Sequence, residues 1–160
     1  MAENEEKLDN PAEAQFAIQK VYVKDLSFET PNSPEVFKVE WKPAVDMHLT
    51  NEATPLGEHL YDVVLSVTIT VKIGDMTVYL IEVNQAGVFY IDKIPDEIIE
   101  RMLATVCPNI LFPFAREAVS DIVTRGGFPQ LLLSPVNFDA LYLQQKQQQA
   151  EQQAESKTTH

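Results

Sequence analysis

The sequence predicts an α+β fold, a four-stranded antiparallel sheet with helices packed on one face. Apolar residues alternate with period two through four successive stretches of the first half. After Pro95 the spacing turns helical, and the chain does not alternate strand with helix. Between two of the alternating runs, Gly74-Asp75 supplies a tight turn and fixes one antiparallel hairpin.

The first strand, Phe16 to Phe28, changes phase twice. Phe16 and Ile18 form one set, Val21 and Val23 a second, Leu26 and Phe28 a third. Each step between sets spans three residues, which signals bulges or bends. Thr30-Pro31-Asn32-Ser33-Pro34 is a loop. Next, Val39, Trp41, Val45, Met47 and Leu49 share odd positions against polar Lys38, Glu40, Lys42, Asp46 and His48. Pro43 cannot donate to a ladder, so this is an edge strand or a crossover leading into a strand. Asn51 to Glu58 is expected to be a loop.

The third strand has Tyr61, Val63, Leu65, Val67, Ile69 and Val71 on its apolar face. The other face carries Asp62, Val64, Ser66, Thr68, Thr70 and Lys72 and is expected to meet water. In the fourth strand Met76, Val78 and Leu80 read as one face, Tyr79, Ile81 and Val83 as the opposite one. A strand apolar on both faces is either a central strand covered by a loop or a subunit interface. Glu82, on the face of Leu80, is expected to meet solvent.

Pro95 opens a helix, with Asp96 and Glu97 in its first turn. Ile98, Ile99, Met102, Leu103 and Val106 form its stripe, and Cys107-Pro108 is expected to break it. A second helix runs through Leu111, Ala115, Val119 and Ile122 to Gly126-Gly127. Phe128 to Leu133 is an extended apolar connector. Asn137 then caps a last helix bearing Phe138, Leu141 and Tyr142.

With 160 residues, one domain is expected, over 14–143. Residues 1–13 are expected to form a disordered acidic arm, and residues 144–160 a Gln-rich fraying helix and tail. Of the net charge of −12, −7 stays on residues 14–138. That balance disfavours nucleic acid and anionic membranes and invites a basic partner. No apolar run approaches a membrane span, and the acidic N-terminus is the opposite of a signal peptide. The single cysteine, Cys107, points to a reducing cytoplasm.

Catalytic chemistry is hard to find. No glycine-rich phosphate loop is present, and His48, His59, His160 and Cys107 lack metal-ligand spacing. Cys107 is placed at a helix C-terminus, where the dipole opposes a thiolate, so it reads as structural. Neither an enzyme, a cofactor nor a metal is expected. Phe37, Trp41, Val45, Met47 and Leu49 instead place apolar surface beside a Pro-rich loop. They pack on the helices or, together, line a groove for extended peptide.

Several motifs resemble one family. Cys107-Pro108-Asn109-Ile110-Leu111-Phe112-Pro113-Phe114-Ala115-Arg116-Glu117 is similar to the signature of SecB, the bacterial protein-export chaperone family. So are Arg125-Gly126-Gly127-Phe128-Pro129-Gln130-Leu131 and Pro135-Val136-Asn137-Phe138-Asp139-Ala140-Leu141. Lys24-Asp25-Leu26-Ser27-Phe28-Glu29 resembles the family's first strand, and Glu82-Val83 with Gln85, Gly87 and Phe89 its fourth-strand exit. The likeness spans about 14–143.

It implies a cytoplasmic, ATP-independent chaperone, assembled as a dimer of dimers. Such a protein holds presecretory chains unfolded and hands them to the SecA motor. The resemblance places SecA binding, including its zinc-binding tail, at Asp25, Glu29, Leu80 and Glu82. It places the client groove at Phe37, Trp41, Val45, Met47, Leu49 and Tyr142, and the oligomer interface at Ile81, Val83 and Gln85. The zinc belongs to the partner. An oligomeric acidic scaffold without holding activity is the alternative.

Overall fold

The computed structural model describes residues 13–158. Glu13 apart, the acidic arm expected over 1–13 lies outside the described residues, as do the last two residues of the tail. Four strands, β1 (Gln15–Glu29), β2 (Ala44–Gly57), β3 (Leu60–Ile73) and β4 (Met76–Asp92), form one antiparallel sheet in the order β1-β4-β3-β2. Three helices follow: α1 (Asp96–Ala104), α2 (Val106–Arg125) and α3 (Phe138–Thr158). The helices lie on one face, with α2 packed across β4 and β3.

The phase changes of β1 are bulges. Its register on β4 shifts between Ile18 and Lys20 and again between Val23 and Asp25. Each extra residue restores the alternation, so Phe16, Ile18, Val21, Val23, Leu26 and Phe28 all share the helix-side face. Burial on β3 follows its alternation, with Val63, Leu65, Val67, Ile69 and Val71 fully buried.

Two strand expectations need correction. Asn51 to Glu58 is not a loop: β2 continues to Gly57, paired with β3 through Pro55↔Tyr61. An exposed edge strand tolerates polar residues and proline that an interior strand would reject. The apolar second face of β4 also has another cause. Lys72 pairs with Thr77 but Val71 with Tyr79, so Val78 is an extra residue and the pleat changes phase there. Met76 before the bulge and Tyr79, Ile81 and Val83 after it all face the helices, and Leu80 faces the other way. β4 is also longer than its apolar run suggested, reaching Asp92.

The break between α1 and α2 falls at Thr105, three residues before Pro108. A proline in a helix lacks the N–H that would bond the carbonyl four residues back, here Ala104, so the ladder fails one turn upstream. Thr105 Oγ1 donates instead to the Arg101 carbonyl at 2.8 Å. Cys107 therefore sits in the first turn of α2, not at a helix C-terminus. Burial overrides the favourable dipole and pushes its thiol up to about 12. By length and composition Asp96–Arg125 is apolar enough to cross a membrane, although no such run was expected. That stretch is interrupted at Thr105, and α2 buries Leu111, Phe112, Ala115, Val119 and Val123 in the core.

At the end of α2, a Cβ on Gly126 would meet the Phe28 ring at 2.5 Å, so only glycine lets β1 approach. Asn137 Oδ1 accepts the Ala140 N–H at 3.0 Å and caps α3 as expected. α3 runs on to Thr158, exposed throughout after Tyr142.

Candidate functional site

Because directly paired residues share a face, the strand register alone places the four acidic-site residues. Glu29 pairs with Leu80, Ser27 with Glu82, and Asp25 with Asn84. Asp25, Glu29, Leu80 and Glu82 thus meet on three consecutive same-face rungs of the outer face, away from the helices. Asp46 joins them at the far end of the Leu80 rung, through Thr70. Asp25, Glu29 and Glu82 are exposed, as Glu82 was expected to be, while Leu80 is half-buried between them.

The bulge in β1 matters to this arrangement. It leaves Lys24 unpaired between Val23 and Asp25. Lys24 Nζ lies 3.6 Å from Asp62 Oδ2, on β3, and Tyr22 donates its hydroxyl to Asp62 Oδ1 at 2.7 Å. That hydrogen bond, then burial and the carboxylate charge, push the Tyr22 phenol up to about 12. Asp62 is only 8% exposed although its neighbours along β3 mark the wet face.

The expected groove residues fall into two groups along the free margin of β2. Val45, Met47 and Leu49 pair with Val71, Ile69 and Val67, which puts them on the helix-side face. At one end the crossover makes a short 3-10 turn, Glu35–Lys38, and sets Phe37 and Trp41 against Phe128. Their ring centroids lie 5.3 and 6.0 Å from that of Phe128, which in turn sits 5.1 Å from Tyr79. Phe128 is buried, yet Phe37, Trp41 and Val45 remain 53%, 37% and 48% exposed. They form an aromatic shelf open to solvent.

At the other end Leu49 and Tyr142 line one cleft of about 220 Å³, with Leu65, Phe138 and Leu141. Polar contacts hold α3 over it. Lys146 pairs with Glu100 at 2.7 Å, which holds its ammonium above its ordinary value. Arg101 and Lys146 both lie over the Tyr142 ring. Sequence reasoning missed Phe128 as the support of the shelf, because an apolar connector looks alike wherever it packs. It also missed Leu141 as a cleft residue, having read it only as part of the apolar face of the last helix.

Ile81, Val83 and Gln85, the residues expected at an oligomer interface, are 1%, 0% and 2% exposed inside this chain. Gln85 donates to the Tyr22 carbonyl at 3.1 Å. No group of three or more His, Cys, Asp or Glu among the described residues is placed to hold a metal.

The family model for SecB, preprotein translocase subunit SecB, matches residues 9–149. The chain belongs to the SecB family. It is 56% identical over 147 residues to the protein-export protein SecB of Nitrosococcus oceani, covering 91% of this chain and 90% of that one. It is 57% identical over 148 residues to the SecB of Methylococcus capsulatus, covering 92% and 95%. The fold matches a SecB-like chaperone from Mycobacterium tuberculosis, solved in complex with a ChAD peptide from an antitoxin. That match has a TM-score of 0.60 and 18% identity, over 76% of this chain and 91% of that one. As a SecB, the chain is a chaperone of the protein-export pathway.

Proposed function

We propose that this SecB holds presecretory proteins unfolded without ATP in the cytoplasm and delivers them to SecA. One observation carries the reading: the open shelf of Phe37, Trp41 and Val45, continued along β2 to the cleft at Leu49 and Tyr142. Half-exposed aromatics on a rigid, buried support bind extended apolar segments without demanding a sequence. That a SecB-like chaperone of the same fold is solved with a peptide bound supports this use of the fold. Each patch binds weakly, and several patches on one oligomer raise avidity without an energy source. Folded proteins escape because their apolar segments are already buried.

The outer face serves delivery. Asp25, Glu29 and Glu82 around half-buried Leu80 suit the basic, zinc-binding tail of SecA, with an apolar contact at the centre of a charged rim. Assembly as a dimer of dimers draws on surfaces next to the buried Ile81, Val83 and Gln85. β1 is a free edge of the sheet, with Ile18, Val23 and Leu26 exposed on its helix-side face, and Phe114 is exposed on α2. Uncovered, these invite pairing with further copies.

The deciding experiment sizes the native protein and mixes it with an unfolded precursor. A tetramer that delays folding of the precursor, with no nucleotide added, is the expected result. A tetramer that leaves the folding rate unchanged makes the protein an acidic scaffold, and the holding reading fails.

A further inference from the structure

The acidic patch has a base built into its margin. Lys24 immediately precedes Asp25, and the bulge leaves it unpaired on the same edge strand. A lysine side chain beside Asp25 has the reach to fold over the patch and neutralise it from within. It does not do so. Its ammonium turns the other way, to Asp62 Oδ2 at 3.6 Å.

The register shows how far away that is. Asp62 stands on the rung of Val88, with Lys20 across the strand, while Glu82 stands six residues along β4. At about 3.3 Å per residue, the rungs of Asp62 and Glu82 are roughly 20 Å apart. Lys20 and the Lys24 ammonium lie at the Asp62 end together with Glu52, while Asp25, Glu29, Glu82 and Asp46 outnumber Lys72 and make the other end net acidic.

Asp62 is well made for the task. It is almost fully buried, so its charge is weakly screened, and the Tyr22 hydroxyl fixes one of its oxygens at 2.7 Å. That leaves Oδ2 for Lys24. We infer that Asp62 is a positioning residue for partner docking: it sequesters Lys24 and so preserves the acidity of the patch, without touching the partner. This rests on the reading of the patch as the dock for a basic partner.

The test titrates a short lysine-rich peptide onto the full chain at low salt. Asp62→Asn keeps an oxygen for Tyr22 but releases Lys24, and affinity is expected to fall about threefold, the scale of an exposed ion pair. Adding Lys24→Met to Asp62→Asn is expected to restore the wild-type affinity, a rescue that loss of structure would not give. In parallel, mass spectrometry follows the rate at which an amine-reactive ester labels Lys24. That rate is expected to rise in Asp62→Asn.

Failures of the two readings separate. If Glu82→Lys weakens the peptide and Asp62→Asn does not, or if the double variant stays weak, the positioning role of Asp62 is overturned and the dock stands. If Glu82→Lys leaves affinity unchanged, the dock falls and takes the positioning role with it. Unchanged labelling of Lys24 in Asp62→Asn overturns the sequestration whatever the peptide does.

Discussion

On the outer face, three rungs of the sheet present Asp25, Glu29, Leu80 and Glu82 to solvent. On the helix-side face, the interleaved residues Val23, Leu26, Phe28, Tyr79, Ile81 and Val83 are apolar, and β4 lies buried under α2. The same backbone supports both, because successive side chains of a strand point to opposite faces. On the sheet, apolar material stays open at the two margins, on β2 with its crossover and on β1 at Ile18, Val23 and Leu26. A client and a basic partner can therefore be served from one sheet by residues that share no contact. Substitutions on the two faces should act independently, within a few tenths of a kcal/mol.

The largest effect is expected where shelf and core meet. Phe128 contacts Phe37, Trp41 and Tyr79 and is buried. Phe128→Ala removes a buried ring and should cost about 3–5 kcal/mol. Chemical denaturation should show a lower midpoint, and client holding should fall even well below that midpoint. Retained holding would show that Phe37 and Trp41 do not need their support.

Alkaline pH should also weaken the helix-side face. The Cys107 thiol has an ordinary value of 9.0, and burial raises it to about 12 in the folded chain. Between these values the folded state holds a proton that the unfolded state has lost, so stability falls as pH rises. Stability from this source is complete below pH 9.0 and fades towards about 12. The full span is on the order of 4 kcal/mol, about 1.4 per pH unit. Tyr79, also raised to about 12 by burial, adds to the slope above its ordinary 10.0. Denaturation midpoints followed from pH 8 upward should decline, and Cys107→Ala should flatten the first part of the decline. An unchanged slope would assign it to the tyrosines alone.

Much of this architecture was legible in the residues. The three-residue steps in β1 marked both bulges, since an apolar set can stay on one face only if an extra residue is absorbed. The same device in β4 leaves no sequence signal, because Val78 and Tyr79 are both apolar and no polar residue marks the phase change. The second half of β2 leaves no signal after Leu49, because an edge strand open to water from Asn51 onward carries no alternation. The acidic patch could be assembled from motif likeness, and strand register then explained why its members meet. The aromatic shelf could not, because Phe128 arrives from a connector of irregular backbone, where no periodicity says which way a ring turns.

Charge reversal on the outer face should come next in size. Glu82 is exposed, and Glu82→Lys puts a like charge against a basic partner, worth about 2 kcal/mol or some thirtyfold in affinity. The loss should shrink as salt is added, because exposed charges are screened within about 10 Å at 0.1 M. Client holding should be unchanged. A parallel loss of holding would mean that the faces are coupled.

Trp41→Ala should give the smallest effect and the cleanest view of the margin. Its ring is partly exposed and rests on Phe128, which stays in place when the indole is removed. Stability should barely move. A short apolar peptide that covers only the shelf should bind about fivefold more weakly, the loss of about 1 kcal/mol of one aromatic anchor. A long unfolded client that also reaches the cleft at Leu49 and Tyr142 should lose proportionally less, because its remaining contacts keep the shelf end at high effective concentration. Tyr142→Ala combined with Trp41→Ala should then release the long client by more than the sum of the separate losses, because neither end is left to hold the other in place. Equal losses for short and long clients would reduce the margin to a single site at the shelf. A weakened basic partner in Trp41→Ala would carry the perturbation through the sheet and end the independence of its two faces.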